Sequence, residues 1–211
     1  MTSDAPLPAA RLFDLLGAEY ERSYRDLPEQ RAALEWLSAR LPAGAQVLDV
    51  GSGTGVPTAR TLSDNGFRVV GIDVSPVMID AAKRQVPCAT FHQADVREYS
   101  IEPSSLAAVC AFFPLLQMTR ADIDASLARM ASWLRPGGYL IFATVPADLE
   151  QVDIVFMGHP AVVSSYATPD LLDRLRSAGL EVLEARETTF TPDLEGATPE
   201  PHVFVYCRRP A

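Results

Sequence analysis

The stretch Val47-Leu48-Asp49-Val50-Gly51-Ser52-Gly53-Thr54-Gly55-Val56-Pro57 decides the fold of this chain. Its apolar start predicts a buried strand. The three glycines at alternate positions predict a turn without Cβ atoms, which a ligand can approach closely. A helix is predicted from Pro57 onward, so that free N–H groups of the turn and of the helix N-terminus point at the ligand. In an open α/β sheet, this first turn is where ligands bind.

The rest of the chain alternates short apolar runs with amphipathic helical stretches, which predicts strand–helix–strand units and a parallel sheet. Two helices are expected first, the earlier one over about 9–24. A long connection is expected over 146–167. Strands are predicted near residues 46–50, 68–73, 89–92, 106–112, 139–145, 180–190 and 202–207. The predicted fold class is therefore α/β, with one doubly wound sheet.

Three classes of ligand use a glycine-rich turn of this kind, and the spacing separates them. The dinucleotide fingerprint G-x-G-x-x-G, read from Gly51 and Gly53, requires a third glycine where Val56 stands. A nucleoside-triphosphate loop needs Lys and then Ser or Thr after its last glycine, and Val56-Pro57 follows instead. The third pattern, acidic-x-Gly-x-Gly-x-Gly, is complete from Asp49 to Gly55. A NAD-dependent oxidoreductase is thus a weaker alternative.

Five segments, in order along the chain, resemble motifs of the class I S-adenosylmethionine-dependent methyltransferases of the small-molecule type. The first is the glycine turn. The others are Val69-Val70-Gly71-Ile72-Asp73-Val74-Ser75, Gln93-Ala94-Asp95-Val96, Ala111-Phe112-Phe113-Pro114-Leu115-Leu116-Gln117 and Leu134-Arg135-Pro136-Gly137-Gly138-Tyr139-Leu140. The likeness covers about residues 46–145 well and the ends loosely. It implies a mostly parallel seven-stranded sheet of the Rossmann-like methyltransferase type, in the order 3-2-1-4-5-7-6, with strand seven antiparallel and helices on both faces.

The resemblance also implies S-adenosylmethionine as the cofactor and a set of residues that bind it. Asp73 matches the acid that holds the ribose hydroxyls, and Asp95 with Val96 matches the segment that receives adenine. Capping of the next turn is the alternative role for both acids, and core packing is the alternative for the phenylalanines. The predicted cofactor-binding residues are Tyr20, Gly51, Ser52, Gly53, Asp73, Val74, Asp95, Val96, Ala111 and Phe112.

The N-terminal segment, residues 1–45, is predicted to form a helical lid over the α/β core of residues 46–211. Its Tyr20 resembles the tyrosine of the helix that closes over the donor in many small-molecule members, and ordinary helix packing is the alternative. For catalysis the candidates are Tyr20 and His159, which lies in the long connection after strand five. An acceptor that is protonated at working pH needs a base, and a structural histidine is the alternative role for His159.

Composition narrows the range of binding partners and substrates to be expected. The net charge of −9 and the absence of any basic run longer than a pair argue against nucleic acid as a substrate. No apolar run approaches the roughly 18 residues of a membrane span, and no secretory signal is visible, so a cytoplasmic location is expected. Three dispersed cysteines and three dispersed histidines predict no metal site. The sequence says nothing of the oligomeric state.

The predicted function is in-line methyl transfer from S-adenosylmethionine to a small, partly hydrophobic metabolite. The alternative is a non-methylating S-adenosylmethionine-binding protein of the same fold, either a pericyclase-like enzyme or a scaffold. The apolar run from Phe112 to Leu116 favours a partly hydrophobic acceptor. Neither the acceptor itself nor the methylated atom is predicted.

Overall fold

The computed structural model describes residues 8–211, so the first seven residues of the predicted lid segment lie outside it. The elements are α1 (Pro8–Tyr24), α2 (Pro28–Ser38), β1 (Gln46–Val50), α3 (Thr58–Asp64), β2 (Arg68–Asp73), α4 (Pro76–Gln85), β3 (Thr90–Gln93), β4 (Leu106–Phe112), α5 (Arg120–Trp133), β5 (Leu134–Thr144), β6 (Leu149–Phe156), β7 (His159–Ser165), α6 (Thr168–Ser177), β8 (Glu181–Phe190) and β9 (Glu200–Arg208).

The main sheet has seven strands in the order β3-β2-β1-β4-β5-β9-β8. Strands β1 to β5 run parallel, and β9 inserts antiparallel between β5 and β8. Because β8 and β9 are the sixth and seventh strands expected from the sequence, the predicted order is confirmed. The strand order changes direction at β1, which has β2 on one side and β4 on the other. Open α/β sheets bind ligands at a switch point of this kind.

Helices cover both faces of this sheet, as predicted. On one face, buried side chains of α5 and α6 such as Leu127 and Leu175 pack against the strands. On the other face the packing side chains come from α2, α3 and α4, including the fully buried Leu34 and Leu62. Burial on both faces explains why β4 is buried along its whole length. Helix α2 of the predicted lid segment is therefore part of the core.

Helix α1 lies apart from these two layers. It is kinked at Gly17, whose backbone (φ 46, ψ −125) is not helical. Before the kink, Leu12 and Leu16 form a small cluster with Ala161 of β7. Ser75 Oγ at the start of α4 donates to Asp14 Oδ1 of α1 at 2.6 Å. Helix α1 is thus held between α4 and the β6–β7 segment.

The long connection expected after strand five contains a two-stranded antiparallel hairpin, β6–β7, which forms a sheet of its own. Met157 and Gly158 make its turn, both with positive φ. In β6, Ile154 and Phe156 pack toward α1 while Val155 between them is exposed. This alternation with a period of two is typical of a half-buried strand. Within residues 8–211, no helix is long and apolar enough to cross a membrane.

Candidate active site

Three adjoining cavities lie at the carboxyl edge of the parallel strands. The strand-edge cavity follows the ends of β1 and β2, with Val50, Asp73 and Met78 in its wall. The glycine-turn cavity lies beside Ser52 and Pro57. The hairpin cavity, of about 350 Å³, lies between α1 and the β6–β7 hairpin. Cavities of a few hundred Å³ are of the size that holds a small ligand.

Two aromatic residues belong to all three cavities. Tyr20 of α1 and Phe113, which follows β4, line each of them. Phe113 has a positive φ of 62°, which is unusual for an aromatic residue, and its N–H donates to Ala143 O at 2.8 Å. Strained backbone of this kind concentrates at ligand sites. The three cavities thus form one site that is centred on this pair of rings.

The glycine turn holds its shape through its own backbone. The N–H groups of Gly51 and Ser52 donate to Ile72 O at 2.8 and 3.0 Å, and the N–H of Gly55 donates to Ser52 O. The prediction that free N–H groups of the turn point at a ligand is wrong for these three, because they bind β2 or the turn itself. A Cβ on Gly51 (φ 68) would lie 2.5 Å from Pro114 Cβ. The glycine is therefore required by the packing of the protein alone.

Asp73 closes β2 and faces the strand-edge cavity. Its Oδ2 accepts the N–H of Gly53 and its Oδ1 accepts the N–H of Ser75, both at 2.9 Å. Burial raises the pKa of Asp73, and these backbone hydrogen bonds oppose the increase. The bond from Ser75 caps the following turn, which was the alternative role expected for this acid. Each carboxylate oxygen accepts more than one hydrogen bond, so acceptor capacity is left for a ligand.

Asp49 is the second buried acid of the site. It lines the glycine-turn cavity, and its Oδ2 is buried without a hydrogen-bond partner among residues 8–211. Burial, with a smaller contribution from the charge of Asp73, raises the pKa of Asp49 to about 8. The neighbouring Ser52 Oγ is buried and unpartnered in the same way. Buried polar atoms are normally paired, so this cavity has unmet capacity for a polar or cationic group.

Most of the predicted cofactor residues meet at these cavities. Those that line one or more of them are Tyr20, Gly51, Ser52, Gly53, Asp73, Val74, Val96 and Phe112. Asp95 and Ala111 do not. Ala111 is fully buried in β4. Asp95 Oδ2 accepts a 2.6 Å hydrogen bond from Arg97, and although burial opposes the change, the Arg97 bonds lower the pKa of Asp95.

The tyrosine predicted on α1 lies at the centre of the site. Burial and the charges of Asp73 and Glu200 raise the pKa of Tyr20, so its phenol stays protonated at neutral pH. Its hydroxyl makes no hydrogen bond within residues 8–211 and is free to donate. Its ring packs against Phe13 and Tyr24, with centroids 5.1 and 4.9 Å away. The geometry fits a hydrogen-bond donor to a ligand better than it fits a base.

The structure does not bring His159 to the cavities. It is the first residue of β7, next to the hairpin turn, and is not among the residues that line the site. The histidine that comes closest is His202 of β9, which is 2% exposed. Its ring lies 4.6 Å from that of Phe113, and its Nδ1 has no partner among the described residues. In the sequence, His202 stands at the start of the last predicted strand, where nothing marks it as a site residue.

Known proteins resemble this chain in sequence. Residues 47–138 match the family model described as a methyltransferase domain. A dTDP-3-amino-3,6-dideoxy-alpha-D-glucopyranose N,N-dimethyltransferase of Streptomyces fradiae is 34% identical over 137 residues, which cover 63% of this chain and 51% of that protein. The chain thus matches about half the length of this relative.

Solved structures share the fold. The Burkholderia thailandensis 1,6-didemethyltoxoflavin-N1-methyltransferase, solved with 1,6-didemethyltoxoflavin and S-adenosylhomocysteine, superposes with a TM-score of 0.67 at 23% identity, covering 99% of this chain and 93% of that one. The cyclase SpnF superposes with a TM-score of 0.72 at 20% identity, covering 96% and 95%. The resemblance to class I S-adenosylmethionine-dependent methyltransferases that the five motifs indicated is confirmed by the family model and the relative, and the solved structures share the fold.

Proposed function

We propose that the protein transfers a methyl group from S-adenosylmethionine to a small, partly hydrophobic acceptor. The observation that supports this most strongly is the meeting of three cavities at Tyr20 and Phe113. Two of the cavities flank the glycine turn, where this family binds its donor, and the third is large and mostly apolar. A donor and an acceptor held in these cavities would meet beside one pair of rings.

The residues of the first two cavities suit the donor. Asp73 would accept the ribose hydroxyls, with Val74, Val96 and Met78 against adenine. Asp49 and Ser52, whose buried oxygens lack partners, would take the ammonium end of the methionine portion. When bound, the donor supplies an activated methyl group, so the protein's task is to align and desolvate the acceptor. A cytoplasmic location stays a prediction.

Helix α1 would serve as the lid of this site. Ala9, Phe13 and Tyr20 each line both the strand-edge and the hairpin cavity. A cover at this boundary excludes water from the point where donor and acceptor meet, which strengthens electrostatic interactions there. The lid function thus falls to α1 rather than to the whole segment 1–45.

The donor site is tested with Asp73→Ala. Loss of the paired acceptor removes hydrogen bonds worth about 1.5–3 kcal/mol each, so S-adenosylhomocysteine affinity is expected to fall at least about tenfold by calorimetry. The matched control is Asp80→Ala, which removes an exposed acid from α4. Circular dichroism monitors folding, because Asp73 also holds the backbone of Gly53 and Ser75. Wild-type affinity in a folded Asp73→Ala protein contradicts the ribose assignment.

Turnover separates methylation from the alternative of a non-methylating protein. Incubation with methyl-labelled S-adenosylmethionine and a metabolite extract, followed by mass spectrometry, is expected to give a labelled product and an equal amount of S-adenosylhomocysteine. A pericyclase-like enzyme would change an acceptor without releasing S-adenosylhomocysteine. A protein that binds the donor and yields neither product would be a scaffold, and either result overturns the proposal.

A further inference from the structure

One acidic side chain faces the hairpin cavity. Glu200, the first residue of β9, is the only charged side chain among the described residues that line it. The remaining wall is mostly aliphatic and aromatic, with Tyr20, Gln117 and Ser165 as its polar side chains. An isolated carboxylate in an apolar cavity is costly unless hydrogen bonds or a cation stabilise it.

The Glu200 carboxylate is fixed in place by two neighbours. The Tyr24 hydroxyl donates to Oε1 at 3.0 Å, and His202 Nε2 lies 3.4 Å from Oε2. Burial is the largest cause of the raised pKa of Tyr24, and the interaction with Glu200 raises it further. The side chain remains 32% exposed, so a ligand in the cavity can reach it.

Aromatic rings lie around the tyrosine that donates to this carboxylate. Tyr24, which donates to it, has its ring centroid 4.9 Å from Tyr20, 6.1 Å from Phe156 and 5.9 Å from Phe190. Tyr20 and Phe156 line the hairpin cavity, together with Phe13 and Phe113. Ring faces attract cations, and aromatic cages of this type recognise ammonium and methylammonium groups. Rings and a carboxylate together form a site for a positively charged nitrogen.

We propose that the acceptor is a hydrophobic amine whose nitrogen lies against Glu200. The inference rests on the proposed function and specifies its substrate class. An amine that binds as an ammonium ion first gives up one proton, to the Glu200 carboxylate or to water. The neutral amine then forms a nitrogen–carbon bond with the methyl group while the methyl carbon–sulfur bond breaks, and the electron pair of that bond stays on sulfur. The nitrogen thereby becomes an ammonium, so positive charge moves toward the Glu200 carboxylate, which stabilises it.

Anionic acceptors are disfavoured by the same cavity. No Lys or Arg of residues 8–211 lines it, so the carboxylate of an acceptor would meet Glu200 without a counter-charge. A hydroxyl acceptor would leave the cation-binding capacity of the rings unused. The amine, its alcohol and its carboxylate analogues are therefore expected to bind in that order of affinity.

The test uses three probes of similar shape: 2-phenylethylamine, 2-phenylethanol and 3-phenylpropanoate. Calorimetry on the complex with S-adenosylhomocysteine is expected to show the amine binding at least about tenfold more tightly than the alcohol. Glu200→Gln keeps the shape of the side chain, removes its charge and is expected to abolish this preference while alcohol binding is unchanged. Glu195→Gln changes an exposed acid of the β8–β9 connection; it is the matched control and is expected to behave as wild type.

Two further results keep the amine assignment distinct from the proposed function. Wild-type protein that fails to bind S-adenosylhomocysteine contradicts the donor site, and the three probes are then measured on the free protein. Equal binding of amine and alcohol, no binding of the amine, or an unchanged preference in Glu200→Gln overturns the assignment of Glu200, whatever the donor does.

Discussion

The two rings at the centre of the site, Phe113 and Tyr20, come from different parts of the sequence. Phe113 belongs to a motif of the family and adopts a positive φ, whereas Tyr20 comes from a helix outside the sheet. The Tyr20 hydroxyl is protonated and unpartnered among the described residues, between the charges of Asp73 and Glu200. We hypothesise that it donates to the carboxylate of the bound donor, because a neutral phenol in a buried site gains most from an anionic acceptor.

Tyr20→Phe tests this hydrogen bond. Loss of one charge-assisted hydrogen bond is expected to weaken S-adenosylhomocysteine binding by about 1–3 kcal/mol by calorimetry, with little change in melting temperature because the ring stays. Tyr139→Phe is the matched control, since Tyr139 packs on Trp36 away from the cavities. If Tyr20→Phe binds as tightly as wild type, the residue only packs.

The roles of some single residues could not be predicted from the sequence, because they depend on contacts between distant parts of the chain. The glycine pattern predicted the site, but Gly51 is required because a Cβ at this position would lie 2.5 Å from Pro114, a distant residue that no local pattern reveals. Glu200 was missed because its partner Tyr24 lies 176 positions away. His159 was chosen for its position after strand five, and the hairpin places it beside the turn instead.

At the scale of elements, α1 is the one whose shape depends on a single residue. Gly17 takes φ 46 and ψ −125, a conformation that residues with a Cβ avoid, and a Cβ there would meet nothing within 4 Å. The kink therefore depends on backbone freedom rather than on space. It changes the direction of the chain between Phe13 and Tyr20, which both line the hairpin cavity.

Gly17→Ala is expected to favour a straight α1 and to move Tyr20 relative to Phe13. The strain costs about 1–2 kcal/mol, so the melting temperature falls and S-adenosylhomocysteine affinity falls with it. Gly44→Ala is the control, because Gly44 also has a positive φ (69°) and an open Cβ position but lies outside the site. A Gly17→Ala protein that loses stability and keeps full affinity shows that the kink does not shape the site.

The main sheet was predictable, because five motifs fix its first five strands and the sheet order follows. The hairpin was not, because Val152, Val155 and Val162 are all exposed apolar residues that blur the alternation of its strands. The sequence also did not show that the two N-terminal helices pack in different places. Nothing local distinguishes α2, whose Leu34 and Leu37 are fully buried, from α1, which packs on the hairpin.

The pH dependence of the stability of the whole molecule is affected by the buried Asp49. Its pKa of about 8 in the folded state exceeds the ordinary value of 3.8, so the folded protein keeps a proton that the unfolded chain loses. Asp49 therefore lowers stability as pH rises from about 4 to 8, by at most about 1.4 kcal/mol per pH unit, and its contribution levels off above; the raised pKa of Asp73 acts in the same direction. Asp95, whose pKa is lowered, contributes no slope between pH 6 and 8.5.

Urea unfolding of the donor-free protein at pH 6, 7, 8 and 8.5 measures this slope. Asp49→Asn keeps the shape of the side chain and cannot ionise, so its free energy of unfolding is expected to fall less over the same range. The difference between the two slopes is the contribution of Asp49. Parallel curves for the two proteins would refute the raised pKa.

The separate sheet of the β6–β7 hairpin has a consequence for how such proteins diversify. Its strands pair with each other and not with the seven-stranded sheet, yet Ile154, Phe156 and Ala161 supply one wall of the hairpin cavity. Mutations that accumulate there leave the glycine turn and its packing untouched. Under the proposed function, descendants of one ancestral chain would keep the donor site and exchange the hairpin, and so change the acceptor.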